Sequence, residues 1–236
     1  MASDSGGYEN LIIDFKDTVA TITINRPDVL NALNAETTLE LGRAVDSLAS
    51  DDRYRVLVIT GAGEQAFVAG ADIGVLATYD PVEAREAARL GQSTFDKIEE
   101  CGKPVIAAIN GYALGGGCEL ALACHIRFAA EGAQIGLPEI NLGVIPGHGG
   151  TQRLARLIGK SAATELICSG AHVNTTDAVR IGLVNAVHPA DSLMEAVYEF
   201  ASRLASKPRI AMRYALEAVN QGMNVTLKEG EAIEAD

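Results

Sequence analysis

The stretch 103-KPVIAAINGYALGGGCELALAC-124 carries one charged side chain beyond its first residue, Glu119. Val105–Asn110 is an apolar run of strand length. Gly115, Gly116 and Gly117 follow, and then an apolar run through Cys124. A membrane span is a poor reading, because Pro104, Asn110, the three glycines and Glu119 interrupt it. A buried strand, a tight turn and a buried helix fit better. Glycines at such a junction let the backbone approach a ligand closely. The helix start then presents unpaired N–H groups and the positive end of the dipole. Those donors suit an oxygen that gains negative charge during a reaction. Glu119 falls in the first turn of that helix, either as an N3 cap that serves the helix alone or as a carboxylate beside the ligand.

Outward from this stretch, strands and helices alternate. Leu11–Phe15 and Thr18–Asn25 form a strand pair by their β-branched alternation. Glu36–Ala49 places Leu41, Val45 and Leu48 on one helical face, and Arg55–Thr60 is a buried strand. Asp80, Pro81 and Glu83 start a helix that runs to about Glu100. His125–Ala129 is a further strand. From about Gly149 the pattern is helical, over Thr151–Ile158, Ala162–Cys168, Thr176–Ile181, Ser192–Ala205 and Arg209–Asn220, with a short strand at Leu183–Val187. A last helix begins near Thr226, and the chain stops inside it, so truncation is expected. The class is α/β with a helical C-terminal section.

Bulk properties narrow the function. With 19 basic and 31 acidic residues the net charge is −12, which argues against a general nucleic-acid binder. The absence of Trp and the few aromatics argue against base-stacking platforms. Cys101, Cys118, Cys124 and Cys168 have no zinc or redox spacing, so they read as reduced packing residues of a cytoplasmic protein. The first residues, MASDSGGYEN, form neither a signal nor a transit peptide. His125, His148, His172 and His188 lack metal-ligand spacing, and each reads as solvated or structurally satisfied. Gly61-Ala-Gly63-Glu-Gln-Ala66 matches a dinucleotide-binding pattern, but a second glycine break follows where a helix is required, so a turn is expected. His148-Gly149-Gly150 resembles part of a lipase oxyanion loop, yet no GxSxG elbow accompanies it.

A second carboxylate, Glu139, sits in another apolar, glycine-rich stretch, 136-GLPEINLGVIPGHGG-150. It is either a turn residue after Pro138 or the partner of Glu119. Two like charges close together and partly desolvated do not ionise together, so one holds a proton at neutral pH. An acid, a base and an oxyanion hole together can add water to a double bond conjugated to a carbonyl.

The chain resembles the enoyl-CoA hydratase/isomerase (crotonase) family along nearly all its length. The resemblance rests on 25-NRPDVLNALN-34, 66-AFVAGADI-73, 103-KPVIAAINGYALGGGCELALAC-124, 137-LPEINLGVIPGHGGTQRL-154 and 182-GLVNAV-187. It implies a core of ββα turns in a right-handed superhelix over residues 1–190 and a helical trimerisation section over 191–236, in a homotrimer or homohexamer. It implies an oxyanion hole from the N–H groups of Ala71 and Gly116, catalysis by Glu119 and Glu139, and a water placed by Gly147. Ala32, Ala69, Asp72 and Ile73 match the CoA path, and Leu76, Leu114 and Leu142 are candidates for the acyl pocket. The implied activity is hydration of a 2-enoyl-CoA thioester with no cofactor or metal. The alternative is a double-bond isomerase or another acyl-CoA lyase of the family. Relatives that bind RNA use a Lys-rich helix, whereas 81–100 here is net acidic, so nucleic acid and membrane are not expected partners. Three departures stand out: Gly74 where the family often has Lys, His125 where it often has Asp, and His148 where a small residue is usual.

Overall fold

The computed structural model describes residues 3–4, 7–72, 74 and 77–236. Ile73 and Leu76, expected on the CoA path and in the acyl pocket, lie outside the described residues. In chain order the elements are β1 (Ser3–Asp4), β2 (Leu11–Lys16), β3 (Val19–Ile24), α1 (Ala35–Ser50), β4 (Val56–Gly61), β5 (Ala66–Val68), α2 (Pro81–Glu100), β6 (Val105–Ile109), β7 (Tyr112–Leu114) and α3 (Gly116–Ala123). There follow β8 (Ile126–Ala130), β9 (Gln134–Gly136), α4 (Gly150–Ile158), α5 (Lys160–Ser169), β10 (His172–Asn174), α6 (Thr175–Arg180), β11 (Ala186–His188), α7 (Leu193–Ala205), α8 (Arg209–Gly222) and α9 (Leu227–Ala235). Two 3-10 helices, Pro27–Val29 and Pro138–Leu142, complete the described elements.

The strands form two sheets. The larger has the order β1-β2-β3-β4-β6-β8-β11, and the smaller β10-β9-β7-β5. β4, β6 and β8 are parallel neighbours in the large sheet, and β5, β7 and β9 are parallel neighbours in the small one. Each turn of chain therefore lays down one long strand, one short strand and then a helix or helical turn. This is the expected ββα repeat. The sequence reading missed the short strands β5, β7, β9 and β10. Three residues are too few for the alternation that reveals a strand.

The large sheet is covered on both faces, so β4 and β6 are buried at every position. Alternation sorts the side chains. Leu57, Ile59, Ala107 and Ile109 join a core with Leu41, Val45, Phe95 and Leu120. Val56, Val58, Ile106 and Ala108 face the other way and meet Leu193, Val197 and Ala201 of α7. α7 thus packs on the same strands as the core. By contrast, α8 and α9 have no buried residues, and Ile210, Tyr214, Val219 and Leu227 are exposed on them, as is Met223 at the end of α8. No described helix is long and apolar enough to cross a membrane.

Local signals act as expected at α2, where Asp80 accepts from Val82 and Glu83 N–H and Glu83 returns the bond to Asp80 N–H. The Gly61–Ala66 segment is a turn between β4 and β5. The cysteines are all free, but Cys168 is exposed on α5, which corrects its reading as a packing residue. Its apolar neighbours in sequence face inward, and the helical period turns Cys168 outward.

His125 has a structural task. Its Nδ1 accepts the Val105 N–H at 3.1 Å, and its Nε2 lies 3.1 Å from Glu99 O. Both bonds hold only in the neutral Nε2–H form, and burial lowers its pKa from 6.5 to about 4. Across that window the unfolded chain takes up a proton that the native chain refuses, so stability falls as pH drops from 6.5 towards 4. At about 1.4 kcal/mol per pKa unit this amounts to roughly 3 kcal/mol. His125→Gln keeps an acceptor and a donor without titrating. In urea unfolding at pH 7 and pH 4, the variant should lose about 2–3 kcal/mol less than wild type. Equal losses would exclude this role for His125.

Candidate active site

α3 is wholly buried and, apart from Glu119, apolar all round. It sits so tightly on β5 that a Cβ on Gly117 would stand 1.9 Å from Val68 O. Gly115 caps the helix at φ 50°, ψ −123°, a conformation open to glycine and closed to residues with a side chain. Gly115 has no side chain with which to cap, so the first N–H groups of α3 keep their donors free.

One of those donors faces a second. Leu33 pairs with Ala71 as an isolated parallel bridge, in which Leu33 N–H donates to Gly70 O and Asp72 N–H donates to Leu33 O. That pattern leaves the Ala71 N–H on the opposite side. A Cβ on Gly116 would stand 3.6 Å from Ala71 N, so the two backbone segments flank one small space. Ala32, Ala69 and Asp72 gather along the same edge. Ala69 N–H donates to Leu30 O at 3.0 Å, Arg26 Nη1 donates to Ala32 O, and Arg26 lies 4.0 Å from Asp72. Leu114, at the end of β7, is half-buried, and its carbonyl oxygen would stand 3.6 Å from a Cβ on Gly70.

Glu119 is the fourth residue of α3, and its N–H makes the first intrahelical bond, to Gly115 O at 3.0 Å. The carboxylate does not cap its own helix. Oε1 instead accepts N–H groups from His148 at 2.8 Å and Gly150 at 2.7 Å. Gly150 opens α4, so a second positive helix end meets this carboxylate. The fit is close: a Cβ on Gly150 would stand 2.9 Å from Glu119 Oε1. Gly147 contributes differently, through its carbonyl, which accepts from Gln92 Nε2 at 2.8 Å.

Glu139 stands in the first turn of the second 3-10 helix. Its Oε1 would be 3.1 Å from a Cβ on Gly115, so the carboxyl lies against the turn that starts α3. Its Oε2 is buried and has no hydrogen-bond partner among the described residues. Burial raises the pKa of Glu139. Burial also raises Glu119, to about 7, against the two N–H donors that favour its charge, and the negative charge of Glu139 pushes in the same upward direction. The site therefore brings two carboxyls of raised pKa to one N-terminal turn.

Sequence reasoning missed two contributors. Arg153 Nη1 donates to His148 O at 3.0 Å, while its guanidinium pairs with Asp96 and Glu99 of α2. His148, read as a bland residue, puts its ring beside Glu119, with Nδ1 3.9 Å from Oε2. The available signal was the run Gly147-His148-Gly149-Gly150, whose small residues let one histidine and two backbone N–H groups turn onto a carboxylate. No group of three or more potential metal ligands occurs among the described residues. A cleft of about 770 Å³ between α2, α4 and α8 is lined by Gln92, Glu99, Arg153 and Arg213, and by neither glutamate.

The family described as enoyl-CoA hydratase/isomerase matches residues 14–236, and the chain belongs to it. It is 46% identical over 229 residues to the crotonyl-CoA hydratase of Syntrophomonas wolfei, covering 97% of this chain and 88% of that one. It is 42% identical over 227 residues to the short-chain-enoyl-CoA hydratase of Clostridium acetobutylicum, covering 96% and 87%. Among solved structures, an enoyl-CoA hydratase from Bacillus anthracis superposes with a TM-score of 0.93 at 42% identity, covering 96% of this chain and 88% of that one.

The raised pKa of Glu119 has a consequence for stability. The neutral form is favoured in the fold, so its stabilising contribution is present below 4.5 and lost as pH rises through about 7. Glu119→Gln keeps a carbonyl for the two N–H donors and never ionises. Chemical denaturation at pH 8 should find this variant more stable than wild type by about 1–3 kcal/mol, with the gap closing towards pH 4. A variant less stable at pH 8 would show that the carboxylate itself holds the turn.

Proposed function

We propose that the protein is an enoyl-CoA hydratase that reversibly adds water across the 2,3 double bond of a trans-2-enoyl-CoA to give a 3-hydroxyacyl-CoA. The observation that carries this is the pair of carboxyls, buried Glu119 and half-buried Glu139, at the N-terminal turn where Gly116 lies beside Ala71. The thioester oxygen takes hydrogen bonds from the Ala71 and Gly116 N–H groups, which stabilise the enolate-like charge as it develops. One such donor is worth about 3–4 kcal/mol.

The hydrogen bonds support one division of roles between the glutamates. Glu119 has Oε1 fixed by two N–H donors, which favour the ionised form, and Oε2 free. It acts as base on the water that attacks C3. Glu139 has a buried oxygen with no donor to stabilise a charge. It holds the proton and delivers it to C2. The pair shares its protons, so the apparent pKa values of the reaction belong to both groups. Gly147 helps to place the water through the turn it opens.

Ala32, Ala69 and Asp72 line the path of CoA, and Leu114 touches the acyl group. The names of the two relatives favour a short acyl chain. The reaction is redox-neutral, and the chain's own groups supply both proton transfers, so no cofactor or metal is assigned beyond the CoA of the substrate. The four free thiols suit a reducing, cytoplasmic setting. The exposed apolar side chains of α8 and α9 suit burial between subunits in a trimer or a hexamer.

Crotonyl-CoA should lose its conjugated-thioester absorbance with wild-type protein, and 3-hydroxybutyryl-CoA should form. Glu119→Gln and Glu139→Gln should each lower kcat by about 10²–10⁴-fold. Near-wild-type turnover in either variant would refute the paired-carboxyl mechanism. Light scattering on the eluted protein should give three or six times the 24.7 kDa chain mass, and a monomer would refute the assembly.

A further inference from the structure

His148 is held with unusual firmness for a residue of a glycine-rich turn. Its N–H donates to Glu119 Oε1, and its carbonyl accepts from Arg153. The ring meets Phe95 edge-on, with centroids 5.5 Å apart and planes at 83°. It lies so close to Gly91 of α2 that a Cβ there would stand 2.3 Å from the ring. Gly91 thus leaves a slot that the imidazole fills.

This seating turns Nδ1 inward. The atom is buried and has no hydrogen-bond partner among the described residues. It lies 3.9 Å from Glu119 Oε2 and would be 3.6 Å from a Cβ on Gly116. An unpaired buried polar atom is destabilising, so its retention calls for a reason. A separation of 3.9 Å is too long for a direct hydrogen bond. It is the kind of gap that one water bridges.

We propose that His148 Nδ1 and Glu119 Oε2 together hold the nucleophilic water, which makes His148 a water-positioning residue of the reaction. This rests on the hydratase reading above. In the Nε2–H tautomer, Nδ1 accepts one hydrogen of the water while ionised Glu119 accepts the other. The oxygen lone pair is left free for C3. On attack, the O–H bond towards Glu119 breaks and its proton stays on Oε2. The O–C3 bond forms, the C2=C3 electron pair passes into the enolate, and C2 takes the proton of Glu139. The second O–H becomes the product hydroxyl, still donated to Nδ1.

The surroundings keep the imidazole neutral. Burial lowers its pKa below the usual histidine value. The titratable groups near it are Glu119 on α3 and Arg153 on α4, and Arg153 is already paired with Asp96 and Glu99 of α2.

His148→Phe fills the slot and can keep the edge contact with Phe95, but it has no acceptor nitrogen. With crotonyl-CoA, kcat should fall roughly tenfold to a hundredfold while KM changes less than about threefold. The pH profile of kcat should shift as well, because Glu119 loses its partner on the water. His148→Gln, which restores an acceptor, should recover part of kcat. Gly91→Ala displaces the ring and should lower kcat by a similar factor, yet add nothing in a His148→Ala background. This second route keeps the test open if His148→Phe folds poorly. Wild-type kcat and pH profile in a folded His148→Phe would overturn the assignment, as would full additivity of Gly91→Ala and His148→Ala. Failure of the wild-type protein itself to hydrate any enoyl-CoA would instead bring down the hydratase reading.

Discussion

The carboxylate of Glu119 is the interaction on which the site depends. A charge buried to 2% exposure is costly unless hydrogen bonds replace its water. The replacement comes from a different part of the chain, the 148–150 turn, whose two N–H groups close on one oxygen. Charge-assisted bonds of this kind are short and strong. They fix the start of α4 against α3 through a single oxygen, Oε1.

The fold delivers the remaining parts by repetition. Each ββα turn moves one strand along both sheets and brings its loop to the same end. Val68 to Asp72 leave β5 beside Gly115 and Gly116, which leave β7. Glu139 leaves β9 one step further along the small sheet. Residues far apart in sequence thus meet because the short strands pair side by side. The three-residue strands of the small sheet matter for placement more than for bulk burial.

The departures from the family pattern resolve in different ways. His125 is structural, since it joins the start of β6 to the end of α2 through two hydrogen bonds. His148 faces the reactive carboxyl, and a glycine on α2 makes room for it. With Gly74 where a lysine is frequent, Arg26 is a cation that touches the Ala32–Asp72 edge. The same residue type therefore serves support at one position and the site at another, and neighbours decide which.

The sequence by itself determined the long strands, the capped helix α2, the glycine junction before α3 and the two isolated glutamates. These are local signals: apolar periodicity, a capping box, and charges missing from an apolar run. The family's motifs extended them to Ala71 and Gly116. Only the tertiary structure decided that Glu119 takes its donors from His148 and Gly150, that Glu139 rests on Gly115, and that Gly91 shapes a slot for His148. Those contacts join residues 24 to 57 positions apart. Their partners are chosen by how strands and helices stack, which spacing along the chain does not encode. Glu119 is not an N3 cap for the same reason: the helix starts one residue earlier than that reading needs, and the carboxylate bonds to His148 and Gly150 instead.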